Sequence, residues 1–182
     1  MFNRELAIRF LLRRPGPTAS RTARWTVPVL AAAGAGFLVW SGVIHLQLWA
    51  DGYQDISVIG PLFLVQGIAS IALAAAIVAL RWLVLLAAGA GAGVATAAGL
   101  LLSVHLGLFG FTESLSVPYA ELSLAVEFTA AFLLLAGAVV LAVTRPAAAA
   151  AGPVRLWPRR GAGFGFASRS TRVLPRSRAG GR

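Results

Sequence analysis

Residues 56–111 read ISVIGPLFLVQGIASIALAAAIVALRWLVLLAAGAGAGVATAAGLLLSVHLGLFGF, and Arg81 is the one fixed charge among them. A spanning helix needs roughly 20 apolar residues. As one helix this stretch would run about 80 Å at 1.5 Å per residue, far beyond a bilayer. The chain therefore has to fold back at Arg81-Trp82, giving two spans, about 60–80 and 83–109. Pro61 suits the first turn of the former, where a missing N–H costs nothing.

Apolar runs on either side supply two more spans, about 27–50 and 119–143. Composition agrees with a lipid-embedded chain. Of its 182 residues 58% are hydrophobic and 12% charged, about half the charge of an ordinary soluble domain. The fold class that follows is an all-α membrane protein, a four-transmembrane-helix bundle spanning 25–145. A basic leader, 1–24, precedes it and an arginine-rich tail, 146–182, follows. The tail holds no acid and too little apolar surface to bury a core, so it is expected to be disordered.

Charge placement orients the bundle. Six arginines precede the first span, Arg81 lies between the second and third, and nine follow the fourth. With four spans they all fall on one side, which the positive-inside rule makes the cytoplasm. Both termini are then cytoplasmic, in a multi-pass protein of the cell membrane. Asp51, Asp55, Glu113 and Glu121 fall on the other side as an outer rim. The first apolar run is too long for the core of a cleaved signal peptide and reads as an uncleaved anchor. Trp25, Trp49, Trp82 and Tyr119 sit near the expected interfaces, where amphipathic rings accumulate.

Partners follow from the same features. The lipid bilayer is the main one. The arginine-rich ends suit anionic lipid, and residues 2–14 read equally well as an interfacial helix or as a leader that only sets topology. No groove-reading motif accompanies the charge, so specific nucleic-acid binding is not expected. Gly89 and Gly93 make a GxxxG pair, used either within the bundle or to pair two copies as a homo-oligomer. With no cysteine, thiolate sites and disulfides are excluded. No hydrolase or transferase motif is present, which weighs against an enzyme.

Four polar side chains lie at comparable depth near the outer ends of the four spans: His45, Gln66, His105 and Glu127. Ser41 shares a helical face with His45, Ser70 with Gln66 and Ser123 with Glu127, so these faces are expected to point inward as one polar cluster. An ionisable group at that depth needs a partner. Four readings stay open. The cluster could hold the helices together by hydrogen bonds, or move a proton, ion or small solute. His45 and His105 could ligate haem b in a redox protein, or His45, His105 and Glu127 a divalent metal.

The pattern HLxLWxxGYxxIxxIGPLFLxQ, running from His45 through Trp49, Gly52-Tyr53 and Gly60-Pro61 to Gln66, resembles a group of small four-span integral membrane proteins of actinobacterial type. That group carries no assigned activity. The resemblance implies the four-span layout and assigns no residue a role; the tail takes no part in it.

Overall fold

The computed structural model describes residues 4–14, 21–116 and 119–144. They form five helices and no strand: α1 Arg4–Leu11, α2 Arg21–Ala50, α3 Ile59–Leu80, α4 Leu83–Leu106 and α5 Ala120–Val143, with a 3₁₀ turn at Tyr53–Asp55. Helices α2 to α5 are each long and apolar enough to cross a membrane. The tail from 146 onward lies outside the described residues.

The spans begin and end close to where the sequence puts them, with two departures. Helix α2 starts at Arg21 rather than near 27, with Pro28 inside it. Pro28, about two turns in, has no N–H to give the carbonyl of Arg24, a loss that spanning helices tolerate when neighbouring groups satisfy the freed carbonyl. Helix α4 stops at Leu106 rather than 109, because Gly107 turns the chain at φ 74°. Leu108 and Phe111 then exchange two backbone hydrogen bonds around Phe109-Gly110. Both central residues have positive φ, as a type I′ turn requires.

Packing runs α3–α2–α5–α4, and α3 and α4 touch only sparsely although a two-residue turn joins them. The α3–α4 turn works because Arg81 takes a left-handed conformation, φ 51°, and its N–H bonds back to Ile77. At this arginine end α1 docks through Arg13. The Arg13 carbonyl accepts the Leu83 N–H at 2.8 Å, and its guanidinium donates to the Ala142 carbonyl at 3.1 Å. One residue thus satisfies an orphan donor at the start of α4 and an orphan acceptor at the end of α5.

The apolar core fills the half of the bundle nearest that end. Val27, Ala31, Ala35 and Leu38 of α2 and Ala130, Leu134, Ala138 and Leu141 of α5 follow the same 4-4-3 spacing. Alanines on these stripes let two backbones approach closely. Glycines do the same elsewhere. A Cβ at Gly42 would lie 2.8 Å from the Gly67 carbonyl, and one at Gly93 would lie 2.7 Å from the Glu127 carbonyl. A Cβ on Gly89 would strike Leu134 and Ile77, so Gly89 and Gly93 are both used inside the chain.

These contacts predict a sharp contrast between neighbours. Gly93→Ala should cost about 1–3 kcal/mol, because α4 must move off backbone. Gly91→Ala, with nothing within 4 Å of the added atom, should be neutral or slightly stabilising. Unfolding in detergent checks it; equal losses would show that Gly93 is not at a close helix contact.

Candidate functional site

At the opposite, acidic end, the bundle is hollow. A half-enclosed cavity of about 290 Å³ lies there, lined by all four spans and by the connections that follow α2 and α4. Its polar lining includes His45, Gln66, Thr96, Ser103, Ser123 and Glu127, and its apolar lining includes Leu48, Leu62, Phe63, Leu100 and Phe111.

The centre of the polar lining is Glu127, 1% exposed. Its Oε1 accepts from Ser123 Oγ, one helical turn away on α5, at 2.9 Å, and from Ser41 Oγ of α2 at 3.4 Å. His45 Nε2 stands 3.9 Å from the same oxygen, in contact but beyond hydrogen-bond length. Oε2 is buried without any partner. The tautomer of His45 follows from its other nitrogen. Nδ1 lies 2.8 Å from the Ser41 carbonyl, which can only accept, so Nδ1 carries a proton and Nε2 faces the carboxyl.

A net charge buried at this depth costs several kcal/mol. Neutral His45 beside a carboxylic acid and imidazolium beside a carboxylate are both electroneutral. The pair is therefore an arrangement for one titratable proton, held on Glu127 or on Nε2.

Gln66 belongs to the cavity through a different network. Its amide donates to Thr96 Oγ1 at 2.7 Å and to Ser70 Oγ at 3.1 Å, bridging the sparse α3–α4 seam. An aromatic row joins the His45–Glu127 pair to the covering connections. Ring centroids are 5.0 Å apart for His45–Phe63, 4.8 Å for Phe63–Tyr53 and 5.8 Å for Tyr53–Phe111. Tyr53 Oη donates to Glu113 at 2.7 Å, tying the turn after α2 to the loop after α4. Ser103 Oγ accepts the Glu113 N–H at 3.2 Å and so anchors that loop on α4. The 3₁₀ turn can seat on α3 because residue 60 is glycine; a Cβ there would meet the carbonyls of Tyr53 and Gln54 at 2.7 Å.

Of the residues read as one cluster, the structure joins His45, Glu127 and Gln66 to the cavity and leaves His105 out. His105 sits at the end of α4, exposed, with Nδ1 2.9 Å from the carbonyl of Leu101 in its own helix. Ending α4 at Leu106 puts it one residue from the helix end, and its place on α4 turns it away from the cavity, on whose wall Thr96, Gly99 and Ser103 lie. The haem reading needs His45 and His105 to converge, and they do not. The metal reading through His45, His105 and Glu127 fails likewise. Among the described residues no three histidine or acidic side chains are grouped to hold a metal ion. Of the acidic rim, Glu113 lines the cavity, while Asp51, Asp55 and Glu121 are exposed. Thr96, Ser103, Tyr53, Phe63 and Phe111 were not legible as site residues. Thr96 and Ser103, hydroxyls seven apart on one face of an apolar helix, carried the available signal.

Compared with known protein families, curated proteins and solved structures, the chain finds no match.

Two outcomes follow. Ser123→Ala should cost about 0.6 kcal/mol, the average worth of a side-chain hydrogen bond between residues of a membrane bundle. Glu127→Ala should cost about 2–4 kcal/mol, since it strands two hydroxyls and enlarges a cavity. Unfolding in detergent measures both; equal costs would contradict the central place of Glu127. Burial, and then the carboxylate of Glu113, push the Tyr53 phenol well above its ordinary range. The Tyr53–Glu113 bond is thus fully present below the unfolded phenol value, about 10, and is lost as pH rises through the higher folded value. In a Tyr119→Phe protein, tyrosinate absorbance should appear late in an alkaline titration. Onset near pH 10 would count against the bond.

Proposed function

We propose that this is a small-solute-handling protein of the cell membrane, which takes a small amphiphilic molecule into the cavity at the extracytoplasmic end of its bundle. The observation that carries the reading is the cavity itself, with a fully buried carboxyl in its wall and one carboxyl oxygen left without a partner. A purely structural carboxyl would be expected to have both oxygens satisfied. At about 290 Å³ the space is near the lower end of the roughly 300–1,000 Å³ typical of ligand sites, so the solute is small. An apolar body would rest on Leu48, Leu62, Phe63 and Leu100, and a polar head would reach His45 and Glu127.

The orientation rests on the arginines: Arg13 and Arg81 stand at one end and Asp51, Asp55, Glu113 and Glu121 at the other, so the arginine end is assigned to the cytoplasm. Helix α1 lies on anionic lipid there, an assignment supported by the exposure of Leu6, Phe10 and Leu11 beside Arg4 and Arg9.

The lack of native cysteine makes single-cysteine labelling a clean test. Ser114→Cys should react with a membrane-impermeant maleimide in intact cells, and Arg81→Cys only after permeabilisation; the reverse pattern overturns the orientation. Gly99 lines the cavity with open space at its Cα, so Gly99→Cys should react with a small water-soluble thiosulfonate added outside. Gly91→Cys, on the exposed lipid-facing side of α4, should not. An unreactive Gly99→Cys would mean that the cavity admits no solute.

A further inference from the structure

The unsatisfied groups of the cavity specify the chemistry of what enters. Glu127 Oε2 has no partner and His45 Nε2 stands 3.9 Å from Glu127 Oε1, so once the proton of the pair has left, both are acceptor positions. Gln66, by contrast, already spends its amide on Thr96 and Ser70. A ligand that binds here supplies N–H or O–H groups.

Charge narrows the class. The titratable groups on the cavity wall are His45 from α2, Glu127 from α5, Tyr53 from the turn after α2, Glu113 and Tyr119 from the connection after α4; α3 and α4 contribute only neutral Gln66, Thr96 and Ser103. Among the described residues no arginine lines it, and Asp51, Asp55 and Glu121 add negative charge at the same end of the bundle. Such a site rejects anions. Its wall also includes three aromatic rings in a row, Phe63 stacked on Tyr53 and Tyr53 edge-on to Phe111. Aromatic faces beside a carboxylate are a setting for ammonium groups, whose charge the rings and the carboxylate both attract. An inorganic cation would find too few oxygen ligands against this largely apolar wall.

Electroneutrality then fixes the stoichiometry. The empty His45–Glu127 pair holds one titratable proton. An ammonium ion placed against the carboxylate brings one positive charge, and keeping the proton as well would leave a net charge in the membrane. Resting on the cavity reading above, we infer that the site takes a monovalent organic ammonium ion with a small apolar body and releases one proton for each ion bound. The ammonium N–H donates to Glu127 Oε2, His45 is left neutral, and the displaced proton leaves to the solvent. No covalent bond changes, and the charge of the site is the same before and after.

The test compares 2-phenylethylamine, protonated at neutral pH, with 2-phenylethanol, which has the same apolar body and no charge. Titration calorimetry of the full-length protein in detergent, in two buffers of different protonation enthalpy, counts protons. The amine should bind with close to one proton released, and the alcohol at least about tenfold more weakly. Glu127→Gln should lose the proton release and weaken amine binding at least about tenfold. Gly99→Leu, which fills the cavity and leaves the pair intact, should block the amine and guards against a Glu127→Gln protein that misfolds. Amine binding without proton release, or alcohol binding as tight as amine binding, overturns the inference. If neither probe binds while Gly99→Cys is labelled from outside, the ammonium assignment is wrong and the cavity reading stands.

Discussion

A carboxyl group buried among membrane-spanning helices has to be matched in hydrogen bonds and in charge, and Glu127 sets that condition for this fold. Ser123 on its own helix and Ser41 on α2 answer part of it, and His45 answers the charge. The match requires α2 and α5 to pack side by side, and it fixes which faces they turn to each other. Gly93 then lets α4 approach within contact of the Glu127 backbone, and the Gly42–Gly67 crossing brings α3 against α2 one turn from His45. The polar pair and the close helix contacts are thus one arrangement.

The bundle divides its length between two tasks. Toward the arginine end, alanine and leucine stripes on α2 and α5 pack into one buried apolar core. Toward the acidic end the same helices carry serine, histidine and glutamate, and Gln66 and Thr96 join α3 to α4. Dispersion supplies stability in the first half. The second half gives up packing for a hollow that keeps a carboxyl oxygen free, and the Tyr53–Glu113 bond steadies the segments around it.

Much of this was legible in the sequence because bilayer thickness and apolar run length leave few choices. Arg81-Trp82 had to be a turn, and the serine spacing around His45, Gln66 and Glu127 identified three inward faces. His105 misled for a physical reason. Depth in a span was counted from a helix end at 109, and a glycine at 107 moved that end, so an exposed side chain was read as a buried one. The aromatic row was hidden because Phe63, Tyr53 and Phe111 come together only through the fold of two connections, which have no periodicity to read. Gly42, Gly60 and Gly67 were present in plain view, yet a glycine does not announce which backbone it will meet.

The pairing of His45 with Glu127 is most directly tested on the imidazole nitrogens themselves. In a His105→Gln protein His45 is the one histidine left, and its ¹⁵N resonances can be read in lipid bilayers at neutral pH. Nδ1 should be protonated, held by the Ser41 carbonyl, and Glu127→Gln should shift the Nε2 resonance. A spectrum with the proton on Nε2 and a bare Nδ1, unmoved by Glu127→Gln, would contradict the pair and the site built on it.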